Sequence, residues 1–169
     1  MKELLLKLKA CGLAIDWAGD KTIEEIWATC HRGDWMLWLA RKLNIDKRVL
    51  TLAKGHCANT VRHLMKDERS IAAVDMAIKY GEGNATDTEL AAAAYAAYDA
   101  DADADYAADA AAAAAYAAAY AAAAYAADAA AYAAAADARK KSQQATAEIC
   151  RKYIPLDLIL AAIKSQEKI

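Results

Sequence analysis

Two neighbouring pairs, Cys30-His31 and His56-Cys57, supply the four soft donors that a tetrahedral Cys₂His₂ zinc site takes. On a helix, consecutive side chains point about 100° apart, so adjacent pairs rarely close on one ion. The expected arrangement is therefore buried thiols beside partly exposed imidazoles, with no metal and no other cofactor. A nucleophilic cysteine would need a base oriented by a third group. Adjacency of Cys30 or Cys57 to a histidine does not provide that, so no catalytic residue is assigned and the chain reads as non-enzymatic.

Binding chemistry has more material. His56 and His63 are seven residues apart, on one side of an expected helix, with Arg62 and Lys66 beside them. That side could meet an anion; more specifically, Arg41, Lys47, Arg48, Lys54, His56 and Arg62, near Trp35 and Trp38, could hold an anionic small molecule such as a signalling nucleotide. The simpler reading of Trp27, Trp35 and Trp38 is that they are core. Asp99, Asp101, Asp103 and Asp105 alternate like ligands of a calcium loop but lack its turn glycine and its bidentate glutamate. No phosphate-binding glycine loop and no nucleophile elbow occurs. Arg32-Gly33-Asp34 reads as a helix-capping turn.

The elements that must position these residues are helical. Leu4, Leu5 and Leu8 make the first ten residues an amphipathic helix rather than a signal peptide. Thr22 and Glu25 form a capping box, and Asp34 and Asp46 are expected N-caps. Val49, Leu50, Ala53, Cys57, Val61 and Leu64 form the stripe of a third helix. Ile71, Val74, Ala77 and Ile78 mark another, ending before Gly81. No stretch alternates apolar and polar residues over strand length, and the glycines are read as helix ends. The expected fold is all-α, a compact bundle with a long alanine-rich segment. It divides into an N-terminal helical subdomain over 1–85 and an alanine-rich segment with a C-terminal helix over 86–169, packed as one domain.

A second capping box, Thr86 to Glu89, opens the alanine-rich segment, and neither Gly nor Pro occurs between Gly83 and Pro155. Alanine is the best helix former, so helix is nearly forced. An unbroken helix of roughly 65 residues would be about 100 Å long, so at least one break is expected. Residues 99–105 are the best candidate and 140–144 the second. Tyr95, Tyr98, Tyr106, Tyr116 and Tyr120 fall within about 80° of arc on a continuous helix, with Tyr125 and Tyr132 elsewhere. The alanine surface suits close helix contacts, within the chain or between copies in a homo-oligomer. Pro155 opens the last helix.

Charge adds a direction but no global field, the 169 residues carrying a net charge of -2. Eight basic residues against three acidic ones lie between Arg41 and Arg69, and nine acidic against one basic between Asp87 and Arg139. Nucleic acid and membrane are therefore not expected partners. Four cysteines without a C-x-x-C spacing predict free thiols in a reducing, cytoplasmic setting.

Three segments together resemble a known family: Cys30-His31-Arg32-Gly33-Asp34-Trp35-Met36-Leu37-Trp38-Leu39, the Ala/Tyr/Asp tract, and Ile149-Cys150-Arg151-Lys152-Tyr153-Ile154-Pro155. The family is the one labelled immunity proteins in bacterial and phage genomes. The resemblance implies a cytoplasmic protein that binds and neutralises a toxin or, in a phage, a defence effector. It supplies no catalytic residues. In that reading the partner would meet the acidic, tyrosine-bearing face made by Tyr98, Asp105, Asp109, Tyr116 and Tyr120, since tyrosine is favoured at interfaces and Asp complements a basic surface.

Overall fold

The computed structural model describes residues 1–98 and 124–166, except for the side chains of residue 64 and residues 124–135. Every regular element among these is helical. In chain order they are α1 (Lys2–Lys7), α2 (Gly12–Ala18), α3 (Ile23–Thr29), α4 (Gly33–Lys42), α5 (Lys47–Asn59), a 3-10 turn (Arg62–Leu64) and α6 (Glu68–Gly81). A helix α7 follows from residue 87 through 98, then α8 (Ala124–Tyr153) and α9 (Leu156–Gln166). The fold is an all-α bundle.

Local chemistry sets the helix starts. Thr22 accepts from the amide of Glu25, whose carboxylate accepts from the amide of Thr22, completing the box that opens α3. Asp46 accepts from the amides of Arg48 at 2.9 Å and Val49 at 3.2 Å. Thr86 and Glu89 repeat the reciprocal pattern at α7. Asp34 behaves differently from expectation. Arg32 occupies the N-cap of α4, and Asp34 sits in the first turn, where its carboxylate accepts two bonds from the Arg32 guanidinium. It still complements the positive helix end. At the other end of α4, Asn44 takes the left-handed conformation at φ 57°, and the amide of Ile45 reaches back to the carbonyl of Ala40. That arrangement stops the helix and satisfies its last carbonyls.

The central packing is α4 and α5 against the last turns of α8, with α6 crossing α5. Met36, Leu39 and Ala40 of α4 meet Ala147 and Cys150 of α8 in one core, which Ile26 and Trp27 of α3, Ile154, and Ile159 of α9 complete. Residues from both ends of the chain thus share a single apolar centre.

Glycine permits the closest approaches. A Cβ on Gly55 would lie 2.9 Å from Ile78 Cγ1, and one on Gly81 would lie 2.4 Å from Leu52 Cβ. Gly55 is inside α5, so it serves a helix crossing and is not the helix end expected of the glycines. Arg48 then ties the crossing, donating to the carbonyl of Tyr80 at 2.6 Å and stacking over the Tyr80 ring.

Two further expectations are corrected. The stripe expected to run from Val49 to Leu64 is interrupted, because α5 ends at Asn59 and residues 62–64 form a separate 3-10 turn. The break expected at 140–144 is absent, since α8 passes through that stretch without interruption. The break expected at 99–105, and Tyr106, Tyr116 and Tyr120, lie outside the described residues, as do the side chains of Tyr125 and Tyr132. No helix among the described residues is long and apolar enough to cross a membrane.

Candidate functional site: an indole-walled cavity

A cavity of about 240 Å³ opens between α1, α2, α3 and α4. All four tryptophans of the chain line it. Trp27 is supplied by α3, where the capping box sets the helix start and Ile23, Ile26 and Trp27 turn inward. Trp35 and Trp38 are one turn apart on α4 and so face the same way. Trp17 comes from α2, and its ring meets Trp35 at 6.1 Å between centroids with a tilt of 58°. Aliphatic groups such as Leu5, Ala14, Ala18 and Leu39 line most of the rest, with Cys11, Cys30, Met36 and the carboxylate-bearing Asp34.

Trp27 is the deep wall, at 3% exposure, while Trp17, Trp35 and Trp38 are half-buried. The core assignment of the tryptophans therefore holds in full for Trp27 and in part for Trp35 and Trp38. Trp17 was missed because α2 is only seven residues long, lies between glycines and shows no strong periodicity. Trp27 carries a second feature: its Nε1 is buried and has no acceptor.

Charge at the rim is neutralised in place. Arg32 forks onto Asp34 at 2.8 and 2.6 Å and lies over the Trp35 ring at 4.5 Å. That guanidinium holds the Asp34 carboxyl below the ordinary carboxylate range.

The basic residues proposed as an anion site do not gather here. None of Arg41, Arg48, Lys54, His56 or Arg62 lines the cavity. Arg41, Lys47 and Lys54 border an open hollow at the start of α5, together with Asp46. Arg48 is committed to the Tyr80 carbonyl, and Arg62 pairs with both carboxylate oxygens of Asp75. His56 stacks flat on Tyr153 at 4.2 Å, and burial followed by the charge of Lys152 lowers its pKa. His63 belongs to the 3-10 turn, so the two histidines do not share a helix side.

Cys30, Cys57 and Cys150 serve packing, while Cys11 is exposed. Cys30 Sγ donates to the carbonyl of Arg32 at 3.5 Å, and Cys150 Sγ donates to that of Gly33 at 3.6 Å. Burial pushes the Cys30 thiol up, and contact with Cys57 together with burial raises that of Cys150. Among the described residues no three His, Cys, Asp or Glu side chains are grouped to hold a metal. Of the residues expected at a partner face, Tyr98 is 73% exposed on α7, as is Tyr95 one turn before it. Asp105, Asp109, Tyr116 and Tyr120 lie outside the described residues.

Arg151 was also missed as a positioning group. From α8 it donates to the carbonyls of Trp27 at 3.1 Å and Cys30 at 2.8 Å, holding the end of α3 behind the cavity. Two stretches far apart in sequence, one around Gly33 and one around Cys150, are thereby joined. The chain matches no family model, no curated protein and no solved structure, so the chemistry of the cavity rests on its own geometry.

Proposed function

We propose that this chain is a non-enzymatic binding protein whose site is the indole-walled cavity, where one small, largely apolar molecule is held away from water. The observation that carries this is the convergence of all four tryptophans on one space of about 240 Å³. Pockets for small molecules are typically apolar and aromatic with few polar groups. An apolar cavity of ~150 Å³ accommodates benzene, so this one has room for a fused pair of rings. Of the basic residues in the anionic-ligand alternative, Arg48, Arg62 and His56 are engaged elsewhere, while Arg41, Lys47 and Lys54 border a separate open hollow away from the tryptophans.

The test is retention. Protein purified from its host is denatured, and the released small molecules are identified by mass spectrometry. A single apolar species at near-stoichiometric yield is expected. Ala14→Phe, which fills the cavity from α2, should abolish retention without unfolding the chain. Unchanged retention in that variant would overturn the reading.

A second reading has its own support. Tyr95 and Tyr98, one turn apart and each 73% exposed, suit a protein partner, and the resemblance of the sequence to immunity proteins names a toxin or defence effector as its class. Pull-down with the native chain and with a Tyr95→Ala/Tyr98→Ala variant tests the protein arm, which fails if both capture the same partner equally.

A further inference from the structure

We propose that the cavity selects a neutral, electron-rich, two-ring aromatic molecule and rejects organic cations and anions of the same size. This rests on the small-molecule reading above and adds the charge class of the ligand. Aromatic cavities more often suggest a cation, since an indole face is negative and attracts ammonium groups. Here three of the four rings already have a cation of the chain over them.

Three of the four walls carry a cation over the ring. Lys21 Nζ lies 4.7 Å from the Trp17 centroid, the Arg32 guanidinium 4.5 Å from Trp35, and Lys42 Nζ 5.8 Å from Trp38. None of these three residues lines the cavity. Lys21 and Lys42 therefore draw on the negative faces of Trp17 and Trp38 and leave those rings poorer in electrons, whereas the charge of Arg32 is offset by its pair with Asp34. An organic cation would therefore compete with lysines already placed over Trp17 and Trp38. The one carboxylate at the rim, Asp34, cannot compensate, since both of its oxygens are held by Arg32.

An anion meets a different obstacle. The walls are indole, aliphatic and sulfur-bearing side chains with one carboxylate, that of Asp34, and no basic side chain lines the space. An ion entering would lose its hydration with no hydrogen-bonded partner to replace it. What remains favoured is a neutral ring system whose π electrons face the polarised indoles, in the offset or edge-on geometries that aromatic pairs adopt.

Three probes of matched size separate the outcomes by isothermal titration with the full chain: naphthol, naphthoate and N-methylquinolinium. Naphthol should bind at least tenfold more tightly than either ion. N-methylquinolinium binding as well as naphthol, or better, would overturn the proposal and make the cavity a cation cage. Tighter naphthoate binding would overturn it in favour of an anion site. A Lys21→Met/Lys42→Met variant removes two of the outer charges without altering the walls. It should narrow the preference for naphthol over N-methylquinolinium roughly tenfold, the scale of two charges acting across a protein interior. An unchanged preference would show that the outer cations do not set selectivity. If all three probes bind alike, the charge class is wrong while the cavity remains a binding site. If none binds and Ala14→Phe retains its host molecule, the small-molecule reading fails as well.

Discussion

Gly33 and Thr146 are in contact that no side chain could replace. A Cβ on Gly33 would fall 2.4 Å from the Thr146 hydroxyl and 2.6 Å from its carbonyl carbon. The start of α4 is thereby seated on α8, and Cys150, one turn further along, donates to the Gly33 carbonyl. Gly33→Ala should push the two helices apart and lower stability by about 1–3 kcal/mol or more, the usual cost of overpacking. Thermal melts check this. Adding Thr146→Ala should not restore the loss, since the clash includes backbone.

Arg151 should be costly to shorten. Arg151→Ala leaves the carbonyls of Trp27 and Cys30 without their donor in a partly buried setting. A loss of about 1–3 kcal/mol follows from unsatisfied buried acceptors. Arg151→Lys should recover only part of it, because an ammonium lacks the fork that also engages Glu148. Denaturant midpoints of the three proteins give the comparison.

The tryptophans should divide by depth. Trp27→Ala is expected to cost about 3–5 kcal/mol, as a fully buried large ring does. Trp35→Ala and Trp38→Ala, half-buried at the cavity mouth, should cost distinctly less and weaken ligand retention more than they weaken the fold. Equal melting shifts for all three would place every indole in the core.

Acid should loosen the start of α6. Asp67 caps that helix, accepting from the amide and guanidinium of Arg69, and these bonds lower its pKa to about 2 from an ordinary 3.8. A carboxyl depressed in the folded state contributes stability that is complete above the unfolded value and is lost as pH falls toward the folded one. Asp67→Asn, which keeps an N-cap oxygen but cannot titrate, should flatten the stability profile between pH 3.8 and about 2. Melting temperatures across that window, native against variant, measure it.

Tyr95 and Tyr98 should be dispensable for folding. Each is 73% exposed, and alanine is a better helix former than tyrosine. Tyr95→Ala and Tyr98→Ala should leave the melting temperature within a degree or so, consistent with the small effect of most surface substitutions.

Helix starts were legible because capping chemistry is local. Thr22, Asp46 and Thr86 each needed only a partner two or three residues away. Asp34 was misread because a competing partner, Arg32, lay two residues upstream and took both carboxylate oxygens. The cavity was legible only in part. Trp27, Trp35 and Trp38 stand out by type, but whether an indole is core or wall depends on what packs opposite. That is decided by α1 and α2, whose patterns are short. The basic residues divide for the matching reason: proximity in sequence does not say which cations border one hollow, as Arg41, Lys47 and Lys54 do, and which take partners elsewhere, as Arg48 and Arg62 do. The roles of Gly55 and Arg151 depend on contacts 23 and 121 residues away, beyond any local pattern.

The unbroken run of α8 joins two very different environments in one helix. Residues 136–142 are exposed on every side, whereas Ala147, Cys150 and Ile154 just beyond them have no exposed surface at all. Hydrogen-bond ladders transmit geometry but not protection from solvent. Amide hydrogens in 147–153 should therefore exchange with deuterium only through global opening, while those in 136–142 escape by local fraying on a far shorter timescale. The helix would thus behave as a cantilever, clamped at its C-terminal third.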